Sequence, residues 1–264
     1  MSDDTITGRA RSADGTTIAY AVRGAGPVVV LVDPAGAYGA STPLAGLAPL
    51  LADGLTVVTY DRRGRGGSTD TPPYALAREV EDLTAVVEAV GPGGPAHAYG
   101  LSSGALLLLH AAAAGAPLGR LVLFEPPLAT DDDRSGDAAF TARLAGLVTA
   151  GRHRDAAEAF LGSVVPPEVL ADMGPAIDAM TPIAPTLVYD AELSLGSSPA
   201  LATRVANPTL VVDSEGSSGD LTGWAAALVG ALPHGEHRSL VGEWHMVPDE
   251  DLAPVVRSFL LRDG

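Results

Sequence analysis

Residues 99–104 constrain this chain more than any other stretch, because a Gly-x-Ser-x-Gly pattern coincides there with a change of secondary structure. An apolar run at 95–99 precedes the pattern and indicates a strand, and an Ala- and Leu-rich run at 105–114 follows it and indicates a helix. A strand, a sharp turn and a helix around Ser102 predict a nucleophile elbow, in which the serine hydroxyl stands at the end of a sheet. The flanking glycines leave room for the neighbouring strand and helix.

The composition excludes several kinds of chemistry. The 264 residues include no cysteine, which excludes disulfides, a thiolate nucleophile and cysteine-based metal sites. The formal net charge of −16 argues against nucleic acid and anionic membrane surfaces as partners, since both repel a negatively charged protein. The length suits one large domain or one domain with an insertion.

The ends and the apolar runs of the sequence bear on the compartment. The first four residues are polar and acidic and lack the basic and apolar segments of a secretion signal. The longest apolar run, at 105–114, is too short to span a bilayer and contains a histidine. We therefore expect a cytoplasmic protein that acts on a small molecule.

Apolar runs alternate with helical patterns outside the middle of the chain. A hairpin signal around an Asp-Gly turn at 9–22 comes first. The later strands are expected at 27–32, 55–60, 95–99, 121–124, 208–213 and 237–241, and helices at 42–51, 77–90, 105–114, 221–232 and 249–261. This order predicts the α/β class with a doubly wound, mostly parallel sheet and a ligand site beyond the carboxyl ends of its strands.

The pattern changes between the fourth of these strands and the fifth. Four helical stretches, at 137–150, 155–164, 167–173 and 175–187, follow one another with no strand signal among them. We therefore expect a helical lid at 128–204, inserted into a core domain formed by residues 1–127 and 205–264.

A serine hydroxyl is a poor nucleophile unless a base takes its proton, and that base is usually a histidine oriented by a carboxylate. Of the six histidines, His245 follows the last predicted strand and precedes the closing helix. A side chain at that position would meet Ser102 across the end of the sheet. We predict His245 as the base.

The motifs together resemble the serine type of the α/β-hydrolase superfamily. The resemblance rests on the strand run 28–31, the Asp-Arg-Arg-Gly-Arg-Gly-Gly-Ser segment at 61–68, the Gly-x-Ser-x-Gly pattern at 100–104 and Gly-Glu-Trp-His at 242–245. They fall in the order of that superfamily and cover nearly the whole chain. The resemblance implies the α/β-hydrolase fold, the chain order serine, acid, histidine, and no cofactor or metal.

The resemblance leaves the triad acid open. In most members the acid follows the strand equivalent to 208–213, where the usual spacing falls near Ser217 and Asp220 comes a little late. In other members it follows the strand after the nucleophile helix, where Glu125 stands. We predict Glu125 as the acid, with Asp220 as the first alternative and Asp213 or Glu215 as the others.

The resemblance also implies two backbone N–H donors for a developing oxyanion. Ser103 supplies one, and alignment on the preceding strand assigns the other to Ala35. Asp33 is a departure, because a carboxylate beside a forming oxyanion would oppose it. Asp33 therefore points away, is protonated, or has work of its own as a general acid or base.

Two further sets of residues complete the expected site. The arginines of segment 61–68 are interpreted as local structural pairs in preference to phosphate ligands. An apolar substrate pocket is expected to be lined by Tyr38, Phe124, Trp244 and Met246.

These expectations converge on a serine hydrolase of small apolar esters, lactones or thioesters that works through an acyl-enzyme. A first alternative is a non-hydrolytic lyase, cyclase or isomerase, as in a biosynthetic pathway, with Asp33 as the acid or base. A second alternative is a ligand-binding protein without turnover, against which the complete set of serine, histidine and acid argues.

Overall fold

Eight strands form one sheet in the computed structural model, which describes residues 5–39, 41–91, 94–128, 134–165, 167–217 and 219–262, without the side chains of 134, 135 and 219–222. The order across the sheet is β1-β2-β4-β3-β5-β6-β7-β8. The strands are β1 (Ile6–Arg11), β2 (Thr17–Gly24), β3 (Val28–Val32), β4 (Thr56–Tyr60), β5 (Ala96–Leu101), β6 (Leu118–Phe124), β7 (Thr209–Ser214) and β8 (Gly235–Leu240).

The sheet is mostly parallel, which confirms the predicted fold class. β1 pairs with β2, and β2 with β4, in antiparallel fashion, while every pairing from β4 to β8 is parallel. The chain runs from β3 to β4 on one side and then returns to place β5 on the other side of β3. The loops that leave β3 and β5 therefore diverge, and such a switch point opens a crevice at the carboxyl ends of the two strands.

Helices cover both faces of the sheet. They are α1 (Leu47–Leu51), α2 (Leu76–Val90), α3 (Ser103–Ala113), α4 (Arg134–Thr149), α5 (His153–Leu161), α6 (Pro167–Leu170), α7 (Gly174–Met180), α8 (Leu187–Leu195), α9 (Pro199–Ala202), α10 (Gly219–Ala231) and α11 (Asp249–Leu260). Short 3-10 turns at Pro43–Ala45 and Thr181–Thr186 precede α1 and α8. None of the described helices combines the length and apolarity needed to cross a membrane.

Strand β3 is buried on both faces of the sheet, which explains the continuous apolar run in its sequence. Val30 and Val32 belong to the core that the sheet forms with α2, α3 and α10, whereas Val29 and Leu31 belong to the core on the α1 and α11 side. A strand that is covered on both faces has no solvent side, so its sequence does not alternate between apolar and polar residues.

The described chain between β6 and β7 includes a helical insertion, which comprises residues 134–165 and 167–202 with helices α4 to α9. The described residues of this insertion contain no strand. It has an apolar core of its own, to which Leu144, Leu161, Ile177 and Leu187 contribute. Helix α8 packs against α3 of the core domain and was not predicted from the sequence. The helix expected at 175–187 is wrong in its second half, because α7 ends at Met180. Pro182 and Pro185 lie in a 3-10 turn before α8 begins.

The turn between β5 and α3 leaves no space for larger side chains. A Cβ atom added at Gly104 would overlap the carbonyl oxygen of Val32, and one at Gly100 would lie 2.6 Å from the backbone nitrogen of Ala105. Helix α3 therefore packs directly against the end of β3. This close approach brings the serine turn beside the loop that leaves β3.

Substitution of Gly104 by alanine should destabilise the protein by about 1–3 kcal/mol, because the new methyl group must displace backbone atoms of β3. Gly146 is the matched control, since a Cβ atom added at this position of α4 would have no atom within 4 Å. Gly146→Ala should raise stability by about 0.5–1 kcal/mol through helix propensity. Urea unfolding followed by circular dichroism measures both, and equal effects of the two substitutions would contradict the packing argument.

Candidate active site

Ser102 occupies the turn between β5 and α3 in a backbone conformation that non-glycine residues rarely adopt. Its φ is 53° and its ψ is −118°, and its N–H donates to the carbonyl oxygen of Phe124 at 2.9 Å. Helix α3 begins at the next residue, so the serine stands at the positive end of an 11-residue helix. Strained conformations of this kind persist where the surrounding structure imposes them, and here the packing of Gly100 and Gly104 does so.

His245 lies in a tight turn between β8 and α11. Residues Glu243 and Met246 exchange two backbone hydrogen bonds, and both residues between them have positive φ, 34° at Trp244 and 63° at His245. Two central residues with positive φ are the mark of a type I′ turn. The N–H groups of these two residues do not bond within the turn. They point instead at groups that hold the turn against the sheet.

Glu125 accepts one of these two N–H groups, and Ser217 accepts the other. Glu125 follows β6, has a φ of 45° and is fully buried. Its Oε2 accepts the N–H of His245 at 2.6 Å and lies 2.5 Å from ring atom Nδ1 of the same residue. Its Oε1 accepts the N–H of Ser214 at 2.8 Å and the hydroxyl of Ser217 at 2.5 Å. The carboxylate therefore joins the ends of β6 and β7 to the histidine turn.

The contact between the two side chains is short but bent. The Nδ1–H direction of His245 is not aligned with Oε2 of Glu125, although the two atoms are within hydrogen-bonding distance. Catalytic hydrogen bonds are often poorly aligned before substrate binds, so the short distance still identifies Glu125 as the partner of the ring. A carboxylate beside Nδ1 favours the tautomer with its proton on that atom, which would leave Nε2 as the basic nitrogen of the ring.

Opposing effects act on the pKa of Glu125. Burial is the largest and raises the pKa, because it disfavours the charged form. The hydrogen bonds from His245, Ser217 and the N–H of Ser214, with the charge of His245, outweigh burial together and lower the pKa to about 2. The carboxylate is therefore ionised at neutral pH, as a group that orients an imidazole must be.

The other acids proposed from the sequence have different surroundings. Asp213 is buried, but its oxygens contact Nε2 of His237 at 2.8 Å and the hydroxyl of Ser239 at 2.5 Å. Glu215 is exposed, and the side chain of Asp220 lies outside the described residues. Over that same part of the chain, no group of three histidine or acidic side chains is placed to hold a metal ion.

Ser217 explains why the usual acid position carries no acid. Its hydroxyl donates to Glu125 and accepts the N–H of Trp244 at 3.1 Å. The residue at that position thus supports a carboxylate that comes from the neighbouring strand. The sequence showed the serine at the expected spacing and Glu125 as the candidate acid, but it did not show that the two side chains meet.

Ala35 and Ser103, the two residues predicted to donate to an oxyanion, line the same cavity as the serine and the histidine. Ser102, Ser103, Ala35 and His245 all line one cavity of about 520 Å³. Within the described part of the chain, the N–H groups of Ala35 and Ser103 have no hydrogen-bond partner. Free N–H groups beside a helix N-terminus are suited to bind a negative charge.

The wall of this cavity differs from the predicted pocket. Of the four expected residues, only Trp244 lines it. Phe124 is buried beneath the ring of His245, with an edge-on contact of 6.2 Å between ring centres. Tyr38 is half-buried away from the cavity, and Met246 is 66% exposed. The helical insertion supplies most of the apolar wall instead, through Phe140, Phe160, Leu161, Val164, Met180 and Ala191.

Asp33 does not line the cavity of Ser102. It lies on a second cavity with Thr42, whose hydroxyl donates to its Oδ1 at 2.5 Å. Burial, opposed by the hydrogen bond from Thr42 and by Arg65, raises the pKa of Asp33 to about 6. The side chain thus turns away from the position where an oxyanion would form, which is one of the outcomes left open by the sequence.

The arginines of segment 61–68 all face protein groups. Arg62, Arg63 and Arg65 are each 1% exposed. Arg63 forms a bidentate pair with Asp82 at 2.8 Å and also reaches Asp14 at 3.0 Å. The arginines are therefore structural, but the expectation that they pair locally is wrong, because every carboxylate that they bind lies outside segment 61–68. The carboxylate of Asp61 accepts the N–H groups of Gly39 and Gly67 instead.

Asp190 of α8 is the site residue that sequence reasoning missed. It lines the same cavity as Ser102 and is held by Arg62 at 2.8 Å and Arg65 at 2.6 Å. An acid in the otherwise apolar start of α8 was the only signal in the sequence. The sequence could not place this acid in the site, because helix α8 was not predicted.

Residues 22–258 match the family model described as "Alpha/beta hydrolase family". Among solved structures, the chain is similar to an alpha/beta hydrolase from Sphaerobacter thermophilus, with 40% sequence identity and a TM-score of 0.85 over 96% of this chain and 100% of that one. It is also similar to the enol-lactonase from Burkholderia xenovorans, with 18% identity and a TM-score of 0.73 over 97% and 100% of the two chains. At that identity the second likeness shows the fold alone.

A curated relative gives a shorter match. The protein described as "Uncharacterized hydrolase YraK" of Bacillus subtilis is 34% identical over 106 residues, which are 39% of this chain and 38% of that protein. The match thus spans well under two thirds of the relative's length.

A fall in pH should lower the free energy of unfolding, in part because Glu125 becomes protonated. The folded state keeps this carboxyl ionised down to a pKa of about 2, whereas the unfolded chain takes up the proton near about pH 4.3. The stabilisation is therefore complete above about pH 5 and is lost as the pH falls toward 2. Over this pH range, we expect the free energy of unfolding of the wild type to fall by about 2 kcal/mol more than that of Glu125→Gln. Urea unfolding at a series of pH values measures the difference, and parallel curves would contradict it.

Proposed function

This chain belongs to the alpha/beta hydrolase family, and on that premise we propose that it is a serine hydrolase that cleaves small, apolar esters, lactones or thioesters through an acyl-enzyme. One observation carries the proposal. The strained Ser102 and the His245 ring, which Glu125 contacts at 2.5 Å, open into a single cavity. A nucleophile, a base and a carboxylate that orients the base are the parts that acyl transfer needs.

In the first half of the reaction, Oγ of Ser102 attacks the substrate carbonyl carbon while Nε2 of His245 takes the hydroxyl proton. The carbonyl oxygen becomes an oxyanion in the tetrahedral intermediate. The bond to the leaving oxygen or sulfur then breaks, and the same proton passes from His245 to the leaving group. The serine is left as an acyl ester, and Glu125 stabilises the imidazolium that forms on the way.

In the second half of the reaction, a water molecule attacks the acyl-enzyme through the same steps of attack and collapse. His245 takes a proton from the water molecule, whose oxygen attacks the acyl carbon. Collapse of the second tetrahedral intermediate releases the carboxylic acid and returns the proton to Ser102. The free N–H groups of Ala35 and Ser103 support both intermediates, because they are available in the cavity at a helix N-terminus.

The wall of the cavity supports apolar substrates of modest size. A volume of about 520 Å³ suits a small ligand. Phe140, Phe160, Leu161 and Met180 supply apolar surface from the helical insertion. The substrate class is therefore expected to depend on the insertion, and the reaction on the core domain.

A non-hydrolytic reaction through Asp33 is the second candidate. The raised pKa of Asp33, about 6, favours a group that exchanges protons near neutral pH. Its carboxyl lies on a separate cavity, however, so a substrate there would not reach Ser102. The two candidates therefore require different residues.

A fluorophosphonate probe should add its mass to Ser102, because an activated serine attacks phosphorus as it attacks a carbonyl carbon. Ser102→Ala should abolish the labelling, and His245→Ala should slow it by about 10²-fold or more. Intact-protein and peptide mass spectrometry measure the addition and its position. Asp33→Asn should be labelled at the wild-type rate.

Two results would count against acyl transfer. An unlabelled wild type whose native reaction disappears in Asp33→Asn favours the second candidate. Tight binding of apolar ligands without labelling or turnover favours a binding protein, the remaining alternative.

Substitution of each candidate acid by its amide should separate them. Glu125→Gln should lower kcat for an ester such as 4-nitrophenyl butyrate by about 10²–10⁴-fold, because the imidazole loses its orienting charge. Asp213→Asn, Glu215→Gln and Asp220→Asn should each leave kcat nearly unchanged. A comparable loss in any of these three variants would reassign the acid.

A further inference from the structure

The helical insertion closes one side of the cavity with a buried carboxylate. Asp190 is 2% exposed, and its two oxygens face two different arginines of the core domain. Oδ1 accepts Nη1 of Arg62 at 2.8 Å, and Oδ2 accepts Nη2 of Arg65 at 2.6 Å. The hydroxyl of Ser103 also donates to Oδ1 at 3.0 Å and accepts Nη1 of Arg62 at 3.1 Å.

Arg62 and Arg65 carry two positive charges, and the carboxylates in contact with them are those of Glu79 and Asp190. Asp190 therefore supplies the negative charge that balances the second guanidinium. Nε and Nη2 of Arg62 bind Glu79 at 2.6 and 2.8 Å, so that pair is neutral by itself. The other donors of Arg65 reach only uncharged groups, the hydroxyl of Thr186 at 3.1 Å and backbone carbonyl oxygens. Without Asp190, a buried guanidinium would be left with no counter-charge, which is strongly unfavourable.

Asp190 also separates those arginines from the interior of the cavity, where a ligand would bind. It lines the cavity, whereas Arg62 and Arg65 lie behind it and do not. The other ionisable side chains of the described wall are Asp137 and His245, so a ligand meets no lysine or arginine there. An anionic ligand group would therefore meet a carboxylate at the point where the two guanidiniums converge.

We propose that Asp190 restricts this cavity to uncharged substrates in two ways. Its carboxylate fills the position in which an anionic ligand group would pair with Arg62 and Arg65, and its negative charge repels such a group. The inference rests on the proposed function only in treating the cavity as the substrate site. It makes Asp190 a specificity-determining residue and not a catalytic one. Neutral esters are accepted, and half-esters of dicarboxylic acids are rejected.

The first test asks whether removal of the side chain opens an anion site. Asp190→Ala removes the carboxylate and leaves a space in front of both arginines, whereas Asp190→Asn removes the charge but keeps the space filled. Acetate at about 100 mM, compared with chloride at equal ionic strength, should raise the melting temperature of Asp190→Ala by about 3 °C. The wild type and Asp190→Asn should show no such difference.

Two results of this test would overturn the proposal. One is a melting temperature of Asp190→Ala that is the same in acetate and chloride. The other is an equal acetate effect in all three proteins, which would place the anion elsewhere.

The second test uses the wild type and does not depend on the folding of the alanine variant. The kcat/KM for dimethyl adipate should exceed that for monomethyl adipate by about tenfold or more, because the free carboxylate of the half-ester is repelled. Asp190→Asn, and Asp190→Ala where it folds, should narrow this ratio. A wild type that treats the two esters alike, or a ratio unchanged in Asp190→Asn, refutes the proposal.

The two proposals fail in different ways. Acetate binding by Asp190→Ala is measured without turnover, so it stands even if the fluorophosphonate leaves Ser102 unlabelled. Conversely, labelling of Ser102 together with equal use of both adipate esters leaves the hydrolase proposal intact and removes the role of Asp190.

Discussion

The carboxylate of Glu125 is the interaction on which the rest of the site depends. A buried charge of this kind is costly unless hydrogen bonds satisfy it. Here the donors come from the end of β7, through Ser214 and Ser217, and from the turn that carries His245. Three segments that are distant in the sequence must therefore meet at one point. The strained turn that presents the imidazole is held in place by the same contacts.

A second group of buried charges joins the helical insertion to the core domain. Arg65 binds Asp190 of the insertion and also donates to the carbonyl oxygens of Pro34 and Ala37 in the loop after β3. That loop carries the N–H of Ala35. The pair of Arg65 and Asp190 thus joins the cavity wall to the loop that carries Ala35, so the proposed selection of substrates and the proposed catalysis would depend on the same contact.

Much of the fold could be predicted because it depends on local patterns. The apolar run of β3, the Asp-Gly hairpin and the Gly-x-Ser-x-Gly turn each have a steric or periodic cause within a few residues, and the predicted sheet and family membership are confirmed. The insertion was harder. The helix expected at 175–187 ran through Pro182 and Pro185, where the structure has a 3-10 turn followed by α8. The apolar wall that the insertion provides was assigned in error to Tyr38, Phe124 and Met246.

The sequence by itself determined the sheet, the helices on its two faces, and the position of Ser102 in a strained turn, since backbone sterics and hydrophobic periodicity act over short distances. Only the tertiary structure decided that Glu125, and not Asp213, meets His245 across 120 residues of chain, and that Asp33 turns to another cavity. It also decided that Asp190 stands before the two arginines. Pairings of this kind depend on how whole elements pack, because a carboxylate next to a strand end has several neighbours within reach and packing selects one.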